Sequence, residues 1–178
     1  MNRNKFAAIF IVLSLLLCSF IYTDAMAKDV DVLGAINFEL NDNAIIQNLT
    51  LNGNEVYSVV IRDDAVKFMA ALSVKEYTQE QVSQYSVEGF KKLLPKEKSF
   101  RSFVSFDKTS LNGIPIDIIV YDSYADGMEL RSKWYIFKYQ KYFFHFITQA
   151  PKGDFFKNNS KILDKIISTI KFTSSVQK

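Results

Sequence analysis

The sequence predicts an α+β domain in which an antiparallel β-sheet is sandwiched between helices, a three-layer α/β/α arrangement. Alternation of apolar and polar residues dominates the chain, as in Ile36, Phe38 and Leu40 set against Asn37 and Glu39. That period of two is the signature of half-buried strands. Two segments break into helical spacing instead, one after Thr78 and one after Gly153. The later strands lose their alternation. Tyr142, Phe144 and Phe146 stand opposite Phe143 and Ile147, and Trp134 and Ile136 stand opposite Tyr135 and Phe137. Strands with one wet face alternate cleanly, whereas strands covered on both faces do not. A helix on each face follows.

The 178-residue chain opens with Arg3 and Lys5, runs apolar from Phe6 to Tyr22, and then reaches Ala25-Met26-Ala27. A charged start, an apolar stretch and a small-x-small site read as a secretory signal peptide over residues 1–27, cut after Ala27. Two other readings stand beside it. About 17 apolar residues is the lower limit for an uncleaved membrane anchor, and Cys18 is where a lipoprotein would be acylated. The A-x-A site argues against the anchor. Leu15-Leu16-Leu17 argues against acylation, which needs a small residue before the cysteine. The expectation is a secreted or periplasmic protein with no stable transmembrane anchor after cleavage. Cys18 is the only cysteine, so the mature domain is cysteine-free and relies on packing without disulfides.

Residues 28–34 read as a flexible lead-in, 35–172 as one domain and 173–178 as a polar tail. The first strand is Ile36 to Leu40, followed by a turn at Asn41-Asp42-Asn43. Ile45 to Leu51 and Val56 to Ile61 flank Asn52-Gly53-Asn54, a hairpin signal because Asn and Gly tolerate positive φ. After Arg62-Asp63-Asp64, the residues Val66, Phe68, Ala70, Leu72 and Val74 form one apolar face of a fourth strand. Thr78-Gln79-Glu80-Gln81 fits a capping box. Val82, Tyr85, Phe90, Leu93 and Leu94 continue that helix until Pro95 ends it. The strands Phe100 to Phe106, Ile114 to Val120, Met128 to Tyr139 and Tyr142 to Thr148 are joined by tight turns. These turns are Asn112-Gly113, Ala125-Asp126-Gly127 and Gln140-Lys141, and the result is a meander. Ile162, Leu163, Ile166, Ile167 and Ile170 then form the stripe of a final helix running into Phe172.

Cleavage removes two of 22 basic residues (Arg3 and Lys5) and one of 19 acidic residues (Asp24), leaving a net charge of about +2. A balance so even sets up no strong field toward nucleic acid or an anionic membrane. Sixteen Phe and nine Tyr imply a large aromatic core, and about 150 residues suffice to build it as one domain.

Leu111-Asn112-Gly113-Ile114-Pro115, the aromatic strands Trp134 to Tyr139 and Tyr142 to Phe146, and Ile166-Ile167-Ser168-Thr169-Ile170-Lys171-Phe172 carry a resemblance. In this order of elements the chain resembles the PsbP-like superfamily, in the form of bacterial exported PsbP/DcrB-like domains. The resemblance spans roughly Ile36 to Phe172 and rests on hydrophobic and turn positions. It implies the same α+β fold and a non-enzymatic accessory or binding module. It assigns no ligand residue in this sequence, and fold alone does not carry function.

Few residues offer chemistry. His145 is the only histidine and lies between Phe144 and Phe146, where a core or half-buried ring is expected. No mature cysteine and no Gly-x-Ser-x-Gly elbow accompanies it, and one histidine without cysteine does not make a zinc site. Asp122, Asp126, Gly127 and Glu129 approach the acid spacing of a calcium loop. However, Tyr124 takes an oxygen-ligand position and Lys133 falls where the closing Glu belongs, so a hairpin with solvated acids is expected. Asp63-Asp64 reads as turn chemistry. No catalytic residue, metal or cofactor is expected. Lys91, Lys92, Lys96, Lys98 and Arg101 cluster at the end of the first helix, where cations complement the helix terminus. They are a candidate docking patch for an anion, a lipid headgroup or a protein. The expected function is an exported, non-enzymatic binding or accessory module whose partner is an envelope protein or an apolar ligand. A carrier of an apolar or lipid-like ligand and a carboxylate-based hydrolase are the alternatives.

Overall fold

The computed structural model describes residues 28–40, 44–51, 54–63, 66–76 and 86–173. The leader 1–27, the turns at 41–43, 52–53 and Asp64, the Thr78-to-Gln81 capping box and the tail beyond 173 lie outside them.

Tight turns build the larger of two antiparallel sheets. β6 (Phe100–Leu111), β7 (Ile114–Ala125), β8 (Met128–Tyr139) and β9 (Tyr142–Pro151) form the expected meander. Asn112 and Gly113 turn the first hairpin at φ of 51° and 80°, and Asp126 and Gly127 turn the second at 50° and 78°. Two consecutive positive φ values make a turn whose twist matches the flanking strands. β9 then pairs with β5 (Val66–Glu76), which continues through β4 (Asn54–Asp63) to β3 (Ala44–Leu51). The order across the seven strands is β3-β4-β5-β9-β8-β7-β6.

β2 (Ile36–Leu40) stands apart. It is the centre of a three-stranded sheet between β1 (Lys28–Val32) and β10 (Lys171–Phe172). The flexible lead-in is thus corrected: Val30 and Val32 are buried and pair with Phe38 and Ile36. Their alternation with Asp29 and Asp31 is too short to register as a strand until β2 lies beside it. Phe172 likewise leaves the helix and pairs with Ile36.

The two helices join separate hydrophobic clusters with the large sheet. In α2 (Asp154–Ser168), Leu163, Ile166 and Ile167 are buried with Leu72, Val74, Tyr135, Phe137, Phe144 and Phe146. Each such aliphatic burial contributes about 1.5–3 kcal/mol. α1 (Val87–Leu93) continues as a 3-10 turn, Leu94–Lys96, that contains Pro95. Its Phe90 and Leu94 join Ala71, Ile119, Tyr121, Trp134, Ile136, Phe143 and Ile147. Alternate residues of β8 and β9 therefore enter different clusters, which is why their apolar–polar alternation vanished. α1 does not continue an unbroken helix from Thr78. Ser86 is extended (φ −82°, ψ 165°) and its hydroxyl accepts from the Gly89 amide at 3.3 Å, capping a new helix start.

Candidate functional site

β6 begins the site with a spacing that a regular strand does not tolerate. Phe100, Phe103 and Phe106 are three residues apart, so a period of two would send them to alternating faces. The register slips twice, between Phe100 and Ser102 and between Phe103 and Ser105, leaving Arg101 and Val104 as bulge residues. Each bulge adds one residue and restores the face. The three rings then form a ladder with centroids 4.8 Å apart at both steps, and Phe100 stacks on Tyr121 at 6.1 Å.

The same bulges aim the charges. The Arg101 guanidinium lies 5.1 Å over the Tyr124 ring and donates to the backbone oxygens of Lys98 and Phe100. The Tyr124 amide donates to the Ser99 oxygen at 2.7 Å, tying this turn to the end of β7. Phe90 anchors α1 edge-on against Trp134, with centroids 4.7 Å apart. That anchoring leaves Lys92 and Lys96 exposed on the outside. Of the five cations singled out by sequence, Lys91 is committed elsewhere. It pairs with Glu88 at 2.8 Å and sits 4.5 Å over the Phe106 ring. A shallow open cleft of about 190 Å³ beside it is lined by Glu88, Lys91, Phe106, Lys108 and Asp117. Its charges alternate in sign, and it is smaller than ordinary ligand pockets.

Two polar networks carry chemistry that the sequence reading missed. Arg131 grips Asp122 through Nε and Nη2 at 2.7 and 3.1 Å, and Lys152 reaches the same carboxylate at 3.0 Å. Arg131 beside it holds the Asp122 carboxyl below its ordinary value. Cations thus surround the first acid of the calcium-like spacing. Among the described residues, no three Asp, Glu, His or Cys side chains gather to hold a metal ion. On the α2 side, Lys133 Nζ donates to Asp164 at 2.7 Å and to Ser160 at 3.1 Å, and the Tyr135 hydroxyl donates to the same Asp164 oxygen. Burial pushes the Tyr135 phenol up, and its bond to Asp164 adds to this. Lys133 next to Ser160 has the makings of a base and nucleophile, but its Nζ is bonded to Asp164 at 2.7 Å. The signal for both networks was a basic residue, Arg131 or Lys133, just ahead of the apolar run Trp134 to Phe137.

His145 is half-buried, its ring 5.3 Å from Phe90 and 6.3 Å from Trp134. This is the aromatic setting its neighbours implied. Among the described residues, no helix is long and apolar enough to cross a membrane.

No protein-family model matches the sequence, and no curated protein matches it. Solved structures do resemble it. Cyanobacterial PsbP (CyanoP) from Synechocystis sp. PCC 6803 superposes with a TM-score of 0.61 at 11% identity, over 87% of this chain and 96% of that one. LpqN of Mycobacterium tuberculosis, described as involved in cell envelope biogenesis, gives 0.52 at 13% identity over 85% and 92%. A protein of Bacteroides thetaiotaomicron VPI-5482 gives 0.57 at 13% identity; 85% of this chain covers only 50% of that one, half its length. Identities this low carry the fold and nothing finer.

Proposed function

The chain has a PsbP-like fold, and on that premise we propose that it is an exported, non-enzymatic accessory module of the cell envelope that acts by binding. The observation that carries this reading is the rim where α1 runs into β6. There Lys92, Lys96, Lys98 and Arg101 have no carboxylate within ion-pair distance among the described residues, and Arg101 lies over the exposed Tyr124 ring. The signal-like residues 1–27 support export. The involvement of LpqN in cell envelope biogenesis supports the compartment. In this reading the large sheet is the middle of three layers, with α2 and the small sheet on one side and α1 on the other. The separate core clusters of its two faces support that layering.

Described aromatic residues pack on one another, as Phe137 does on Phe144 at 5.0 Å and Phe38 on Phe146 at 5.5 Å. Such packing favours a filled core over a ligand-lined pocket, and hence a surface binder over a carrier. The test is crosslinking and pull-down from the native envelope. Wild-type protein is compared with a variant carrying Gln at Lys91, Lys92, Lys96, Lys98 and Arg101. A partner held by the wild type and lost from the variant is the expected result. Equal capture by both would remove the rim from the account.

A further inference from the structure

One end of the large sheet combines the cations that have no ion pair among the described residues with three well-exposed apolar side chains. Tyr124 and Met128 flank the Asp126-Gly127 turn and are 42% and 49% exposed. At the same end Pro151 pairs with Leu130, the Lys152 amide donates to the Glu129 oxygen, and α2 opens with Phe155, 58% exposed. Arg101 already lies over Tyr124, and Lys98 and Lys96 precede it on the turn from α1.

The carboxylates here are largely spoken for. Asp122 is held by Arg131 and Lys152, Glu129 by Lys152 and Asp154 by Lys157. Glu97 and Asp126 offset part of the remaining positive charge, so the cations alone make a modest surplus and the apolar tips must add to it. Aromatic rings and long cationic side chains are the pair that favours a membrane interface, the rings at headgroup level and the cations on lipid phosphates.

Resting on the binding-module reading above, we propose that this end of the sheet docks on an anionic lipid bilayer. Tyr124, Met128 and Phe155 enter the boundary between headgroups and acyl chains, while Lys96, Lys98 and Arg101 meet the phosphates. A bilayer suits these residues better than a protein partner does. The apolar side chains stand on separate elements with charged residues between them, and a fluid interface accepts each one independently. A stable protein interface instead needs a continuous surface of about 1,000 Å².

Flotation of the purified protein with vesicles tests the proposal. The vesicles are phosphatidylcholine alone or an equimolar mixture with phosphatidylglycerol. Co-flotation with the mixture only, weakened by salt, is expected. Gln at Lys96, Lys98 and Arg101 should lower partitioning about a hundredfold, at roughly fivefold per cation, and Ser at Tyr124, Met128 and Phe155 should lower it as well. Thermal unfolding identifies any variant that fails to fold. A Phe155→Trp protein gives a second readout, because its emission should shift to the blue and be quenched by brominated acyl chains. Absence of wild-type flotation with the mixture, or unchanged Phe155→Trp emission, would overturn the bilayer. If envelope crosslinking still yields a partner that the Gln variants lose, the binding-module reading survives with a protein in the bilayer's place. Failure of both experiments overturns both.

Discussion

Phe103 and Phe106 face the same side of the sheet, with centroids 4.8 Å apart, although they are an odd three positions apart along a strand. The bulge at Val104 makes this contact, while the Val104 side chain itself is 46% exposed. The position and the side chain should therefore separate cleanly in a mutational test. Val104→Ser should change stability by no more than about 0.5 kcal/mol, as exposed substitutions do. Inserting one Gly after Ser105 should cost several times more, because Phe106 and every later residue of β6 would change face. Urea denaturation of the two proteins measures the contrast.

Lys133 and Asp164 join β8 to α2 with unequal exposure, 15% and 45% at their side chains. Asp164→Ala strands a mostly buried ammonium with Ser160 and the Tyr135 ring beside it but no carboxylate among the described residues, and should cost about 2–4 kcal/mol. Lys133→Met leaves Asp164 half in water and still bonded to Tyr135, so about 1 kcal/mol is expected. Equal losses in chemical denaturation would contradict the asymmetry.

Asp122 gives the fold an acid limb. Its carboxyl titrates below the ordinary value because Arg131 and Lys152 bond the charged form. As pH falls, the unfolded chain takes up this proton first. The stabilisation is thus fully present above the unfolded carboxylate value of about 4 and is lost as pH falls through the lower folded value. Asp122→Asn should lower stability at neutral pH and flatten its decline below about pH 4. Melting temperatures across that range test this, and an unchanged slope in the variant would count against it.

Phe90 pins α1 against Trp134, the only tryptophan. Phe90 is 1% exposed, so Phe90→Ala should cost about 3–5 kcal/mol. Trp134 emission should move to the red as water reaches the site, while far-ultraviolet circular dichroism retains its strand signal. An unshifted emission maximum would mean that α1 is held by something other than this ring.

Much of the meander could be read directly, because Asn112-Gly113 and Asp126-Gly127 are local turn instructions and the alternation between them is continuous. Both faces of β8 and β9 also announced their cover through Trp134, Tyr135, Phe143 and Phe144. β1 and β10 could not be read this way. Five and two residues carry little periodicity, and each becomes a strand only by pairing with β2, which for Phe172 lies well over a hundred residues back along the chain. The cationic cluster was visible as a run of lysines, but its partition was not. Glu88 claims Lys91, and a bulge turns Arg101 onto Tyr124.

By itself, then, the sequence determined the elements whose causes are local: hairpin turns, strand alternation, the stripe of α2 and the double-sided aromatic strands. Tertiary structure alone decided which strands share a sheet, where the register slips, and which charges pair at the rim. The physical reason is range. Backbone preference and periodicity act over a few residues, whereas pairing, bulges and ion pairs depend on what the folded chain brings alongside.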